Sequence, residues 1–163
     1  MKKIAIILLA VLLAFSGCTE KPEKTNGTTS TGETIKEIIE IQLEAKAPFS
    51  TATITIHNNG NINYKAISLE MNIDQTDETK ITIEQYKELV ALIKENDFFS
   101  FNETYREENL MDATTYTITV KQTSNKETQS YRVSCYGECP EKVVEIRNKI
   151  KELWGKEILE VGV

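Results

Sequence analysis

Three kinds of side chain in this sequence could do chemistry: a close cysteine pair, a lone histidine, and two stretches crowded with carboxylates. Cys135 and Cys139 lie in C-Y-G-E-C-P. Outside the cytoplasm such a pair is most simply a disulfide, and Gly137 lets the chain curl enough to bring the sulfurs together. Closing so short a loop stabilises by about 2 kcal/mol in the chain-entropy model. A redox pair is better served by C-x-x-C at a helix N-terminus, where the dipole lowers a thiol pKa; here the spacing is one residue wider. A metal would need two further ligands, and His57 has no partner at ligand spacing, so no metal or cofactor is expected. His57 as a general base lacks a nucleophile, since there is no G-x-S-x-G, and it reads as a residue at a hairpin end. Asp74, Asp77 and Glu78 form one acidic cluster, and Glu103, Glu107, Glu108 and Asp112 another. Neither has the D-x-D-x-D-G spacing of a calcium loop, so both read as solvated charge. The chain is therefore expected not to be an enzyme. The alternative is an envelope enzyme using these carboxylates or the Cys135/Cys139 pair.

The third cysteine has a different setting. Met1-Lys2-Lys3 is followed by an unbroken apolar run, Ile4 to Phe15, and then Ser16-Gly17-Cys18. Two cations, a short apolar core and small residues before a cut site are the parts of a secretory signal. The run spans about 18 Å as a helix, too short for a hydrocarbon core of ~30 Å. The placing of Cys18 after Ser16-Gly17 resembles the lipobox of prokaryotic lipoproteins, although Phe15 stands where that family most often has Leu. The resemblance implies a diacylglyceryl group on the Cys18 thiol, cleavage just before it, and attachment to the extracytoplasmic side of a membrane in the cell envelope. Residues 1–17 are then the signal peptide. Residues 18–34 are the anchored cysteine and a tether, because Thr19 to Glu33 has too little apolar surface to offset its ordering entropy. Fifteen such residues reach roughly 20 Å. Residues 35–163 make the globular domain.

Charge narrows the partners. The formal net charge is −6, and loss of Lys2 and Lys3 with the signal would take it to −8. With no basic cluster, neither nucleic acid nor a polybasic grip on anionic lipid is expected. The excess negative charge serves solubility. The expected partners are a membrane, through the lipid, and an unidentified protein or small ligand.

The elements that position these residues follow from periodicity. Ile39, Ile41 and Leu43 alternate as a strand, although Ile35 and Ile38 would also fit a helix. Pro48 breaks it. Ala52, Ile54 and Ile56 then alternate against Thr51, Thr53 and Thr55, and Asn58-Asn59-Gly60 is a hairpin turn. Ile62, Tyr64 and Ala66 run in one phase and Ile67, Leu69, Met71 and Ile73 in the other, which predicts a β-bulge near Ala66. Asp74 to Lys80 reads as a polar loop. Thr82 and Gln85 make a capping box ahead of a stripe of Ile83, Tyr86, Leu89, Val90 and Ile93. Phe98, Phe99 and Phe101 follow, then a polar loop from Asn102 to Asp112. A second hairpin places Tyr116, Ile118 and Val120 against Tyr131, Val133 and Cys135. Pro140 opens a last helix with Val143, Ile146, Ile150 and Leu153 inward, and Gly155 stops it.

This layout resembles small exported domains of unknown function found in prokaryotic lipoproteins. In those, a hairpin and a helix with an F-rich end (here Thr51 to Phe101) precede an Asp-introduced hairpin (Asp112 to Ser134) and a Pro-started helix (Pro140 to Trp154). Some relatives carry C-x-G-x-C-P near their first strand, whereas here it precedes the last helix. The expected fold is α+β: an antiparallel sheet of about five strands in β-ββα-ββα order, with two helices on one face. The other face would carry Thr53, Thr55, Asn63, Lys65, Thr117, Thr119 and Arg132, a possible binding face compatible with solvent. Trp154, Ile158, Leu159, Val161 and Val163 read as core closing the domain. Asn26 and Asn102 match the N-glycosylation acceptor pattern. The functional expectation is a tethered, non-catalytic binding module, with a structural envelope lipoprotein as a further alternative.

Overall fold

The computed structural model describes residues 36–156 and 158. The expected signal at 1–17, Cys18, the expected tether through 34, Asn26, Leu159, Val161 and Val163 lie outside the described residues. Among the described residues, seven strands form one sheet: β1 (Glu37–Ala47), β2 (Ser50–His57), β3 (Asn61–Ser68), β4 (Ile73–Lys80), β5 (Thr104–Arg106), β6 (Thr115–Ser124) and β7 (Glu127–Tyr136). Helix α1 (Ile83–Glu95) and a 3-10 turn (Phe98–Ser100) separate β4 from β5, and α2 (Glu141–Trp154) follows β7. The spatial order is β4-β3-β2-β1-β6-β7-β5. All neighbours pair antiparallel except β5 and β7, which run parallel.

The expectation of about five antiparallel strands is therefore corrected to a seven-stranded mixed sheet. The residues from Asp74 to Lys80, read above as a loop, pair along the whole of β3 as an edge strand. The three residues of β5 pair with Ser134, Cys135 and Tyr136. The bulge also moves. β3 stays in register with β2 from Ile56↔Ile62 to Ser50↔Ser68, so nothing slips at Ala66. The register instead shifts in β1 between Ile38 and Glu40, opposite β6. That extra residue lets Ile38 and Ile41 both face inward, where alternation alone would have turned one of them out.

One core joins the elements. Ile41, Leu43, Ile54, Ile56, Ile62, Ile118, Val120 and Val133 of the sheet pack in one cluster with Tyr86, Leu89 and Ile93 of α1 and Val143, Ile146, Ile150 and Trp154 of α2. Trp154 stacks on Tyr64 with ring centroids 4.9 Å apart, and Ile158 packs at the margin of the cluster. Tyr86 donates its hydroxyl to the Ile38 carbonyl at 2.7 Å, tying α1 to the start of β1. Burial first, and then the nearby Glu37 charge, push the Tyr86 phenol up to about 12. At the first hairpin, Gly60 has φ +83°, and a Cβ there would run into the Ile81 carbonyl oxygen, so glycine is required twice over.

Candidate functional site

The sheet face turned away from the core carries side chains in two rows fixed by strand register. One row runs Thr76, Lys65, Thr53, Glu44, Thr117 and Ser134 from β4 to β7. The next runs Glu78, Asn63, Thr55, Gln42, Thr119 and Arg132. All seven residues expected on a binding face therefore share it, but not as one patch. Thr53, Thr55, Asn63 and Lys65 form a group on β2 and β3. Thr117, Thr119 and Arg132 form another on β6 and β7, and Glu44 and Gln42 of β1 stand between them.

The two groups differ in what they offer. Thr53, Thr55, Asn63 and Lys65, with Thr76 and Glu78, line a shallow depression of about 520 Å³. Thr117 offers little: it is 4% exposed, and its Oγ1 lies 3.0 Å from the Ser134 Oγ. Its polar group is spent within the sheet. Arg132 remains exposed at the far side.

At the end of the sheet where β1 begins, polar side chains link four adjacent strands. Lys121 Nζ donates to Glu40 Oε1 at 2.8 Å, and His57 Nδ1 lies 3.7 Å from Glu40 Oε2. Asn63 Nδ2 stands 3.3 Å from His57 Nε2. His57 is thus held in a network that includes Asn63 of the candidate face, beyond its expected role as a hairpin end.

The other candidates separate. Cys135 and Cys139 are bonded, with an S–S distance of 2.16 Å and Cα atoms 5.4 Å apart, joining the end of β7 to the start of α2. Cys135 is a core residue. Asp74, Asp77 and Glu78 do not converge, because Asp77 alternates with its neighbours along β4. Asp77 accepts from Lys156 Nζ at 2.6 Å. That bond, and then the Glu78 backbone N–H, hold its carboxyl below the usual carboxylate range. Among the described residues, no three of His, Cys, Asp and Glu gather closely enough to hold a metal ion. The loop holding Glu107 and Asp112 is fixed by Tyr136, whose hydroxyl donates to the Leu110 carbonyl at 2.9 Å.

Sequence reasoning missed an apolar corner of the open face. Leu69 is 77% exposed, Phe49 55%, Met71 53% and Ile67 37%. Ile67, Leu69 and Met71 form an out-of-phase run that points to solvent, and the Leu69 N–H donates to the Phe49 carbonyl at 2.9 Å, holding the two hairpin tips together. The signal was that phase break itself, read as a bulge when it marked outward apolar side chains.

The sequence pattern of the domain of unknown function DUF6438 matches residues 49–153, more than half of the 163-residue chain. The match begins after β1 and covers both hairpins and nearly all of α2. No curated protein matches the chain.

Proposed function

We propose a tethered binding role for this chain, which belongs to the DUF6438 family of domains of unknown function. In this reading Cys18 carries a lipid that holds the protein on the extracytoplasmic side of a membrane, and the domain acts without catalysis. Its open sheet face engages a protein or small ligand within reach of that surface. The observation that carries the reading is the face itself. Two rows of polar side chains cross the strands in fixed register, and Thr53, Thr55, Asn63 and Lys65 gather around one depression. A sheet supplies such an array with little ordering cost on binding, because register already fixes the spacing of its side chains.

The test uses full-length chain made with its own leader. Cys18→Ala should move the protein out of the membrane fraction, and membrane retention of that variant would remove the anchor. Envelope extract passed over the immobilised chain should leave a partner that Asn63→Glu with Lys65→Glu releases. A partner retained equally by that variant would take the function away from this face.

A further inference from the structure

The corner formed by Phe49, Ile67, Leu69 and Met71 is not explained by a polar ligand. Exposed apolar side chains scattered singly are ordinary, but four of them gathered at two adjacent hairpin tips, which one backbone hydrogen bond joins, mark an interaction surface. Three restraints hold it in shape: the Ser50↔Ser68 pairing, the Leu69–Phe49 backbone bond, and the Met71 N–H donating to the Ser68 hydroxyl at 3.3 Å. It is therefore a preformed surface, needing little ordering when a partner arrives.

Charge around the corner decides between occupants. One register row crosses it: Lys46 on β1, Thr51 on β2, Ile67 on β3 and Asp74 on β4. The row is apolar or neutral in its middle and carries opposite charges at its two ends. Lys65 and Glu70 flank it as well. Lipid is a poor occupant, since sinking the corner into hydrocarbon would drag these four charges toward it. A partner of one charge sign would match one end of the row and oppose the other. A surface with both signs arranged end to end suits a copy of itself, because a two-fold axis sets each end against its opposite.

We propose that this corner is a homodimer interface, its occupant a second copy of this chain. The proposal rests on the open face being an interaction surface and names one of its partners. A two-fold axis over the gap between β2 and β3, inclined to the strands so that the copies touch at the hairpin tips and splay apart toward Thr55 and Asn63, places β1 of one copy over β4 of the other, and β2 over β3. Lys46 then meets Asp74 of the second copy twice, Thr51 meets Ile67, and Phe49 meets Leu69. The overall charge of −6 opposes the approach at long range. The paired Lys46 and Asp74 offset that repulsion where the copies touch, and confinement to a membrane by the proposed anchor would raise the effective concentration.

The row also supplies its own assay. Within one copy Lys46 and Asp74 are three strand spacings apart, about 14 Å, beyond the reach of a direct side-chain bond. A water-soluble carbodiimide activates a carboxylate, and attack by a lysine amine then forms an amide while the carbodiimide leaves as a urea. A Lys46–Asp74 amide can therefore form only between copies. Cells producing the full-length chain are lysed and treated with this reagent, and a band of twice the chain mass is expected, carrying the Lys46–Asp74 peptide pair. Lys46→Asp alone, Asp74→Lys alone and Leu69→Glu should each lower it at least tenfold. The double variant Lys46→Asp with Asp74→Lys should restore it with the linked pair reversed. No such band, a band that survives Leu69→Glu, or linkage of Lys46 to a different protein would overturn the proposal. Loss of the dimer band with partner retention at Asn63 and Lys65 intact removes the dimer and leaves the binding face standing; the opposite pattern does the reverse.

Discussion

The two hairpin–helix halves of the sheet begin alike and hand over to their helices differently. In the first, β3 is followed by another strand, β4, before α1 begins; in the second, β7 runs almost directly into α2. The start of α1 is held by hydrogen bonds. Thr82 accepts from the Gln85 N–H at 3.2 Å, and the Gln85 side chain accepts from the Thr82 N–H at 2.9 Å. The start of α2 has Pro140 at its N-cap and no side-chain cap, and the Cys135–Cys139 bond lies just ahead of it. Two solutions to one problem, fixing the angle at which a helix leaves a sheet, thus sit in one small domain. One is made of local hydrogen bonds that can re-form with water, and the other is covalent.

The largest expected effects test whether the halves are separable at all. Leu89 and Ile150 are both fully buried in the shared cluster. Leu89→Ala and Ile150→Ala should each cost about 2–5 kcal/mol in urea unfolding, with a single transition in both. Two resolved transitions in either variant would mean that each helix closes its own core.

Reducing the disulfide comes next. Opening Cys135–Cys139 should cost about 2 kcal/mol and should lower protection of the first turn of α2 in hydrogen exchange, leaving α1 unchanged. Thiol titration of the native domain should find neither cysteine reactive until reductant is added. Two reactive thiols would place the second helix start on the same hydrogen-bonded footing as the first.

These halves were unequally legible in the sequence. β6, β7, β2 and β3 were visible because burial on one face imposes a period of two. β4 was not: Ile73–Lys80 is an edge strand with no buried residue, so backbone pairing to β3 makes it a strand while its side chains read as loop. β5 is shorter still, and its parallel pairing to β7 depends on where the chain returns after α1. The residues of the proposed binding face were legible as outward partners of inward apolar ones, except that their division by Glu44 and Gln42 required knowing that β1 lies between β2 and β6. Both capping residues of α1 and the stop of α2 at Gly155, with φ +69°, are local devices and were readable where they stand.

A smaller effect sharpens the contrast between helix starts. Thr82→Ala removes the hydroxyl that accepts from Gln85, and should cost about 1 kcal/mol, roughly half the effect of reduction. Thr82→Ser, which keeps the acceptor, should recover most of it. If Thr82→Ala matched the disulfide in thermal or urea unfolding, the hydrogen-bonded start would carry as much as the covalent one.

The smallest effect lies where the halves meet. Lys156, just past α2, reaches Asp77 on β4, an edge contact between the end of one half and the added strand of the other. Because the Asp77 pKa is lowered on folding from its ordinary 3.8, the folded state favours the ionised carboxylate. The stability this contributes is present above that value and is lost as pH falls through the lower folded value. Lys156→Met removes the partner, so the stability difference between native and variant proteins should be small near neutral pH, where exposure screens it. It should shrink toward zero below the ordinary carboxylate range. Glu84, lowered by its own backbone N–H and by Thr82, titrates alike in both proteins and cancels from the difference. A difference that persists unchanged into acid would mean that Lys156 acts through packing over the Trp154 ring, 4.9 Å away, and not through the Asp77 charge.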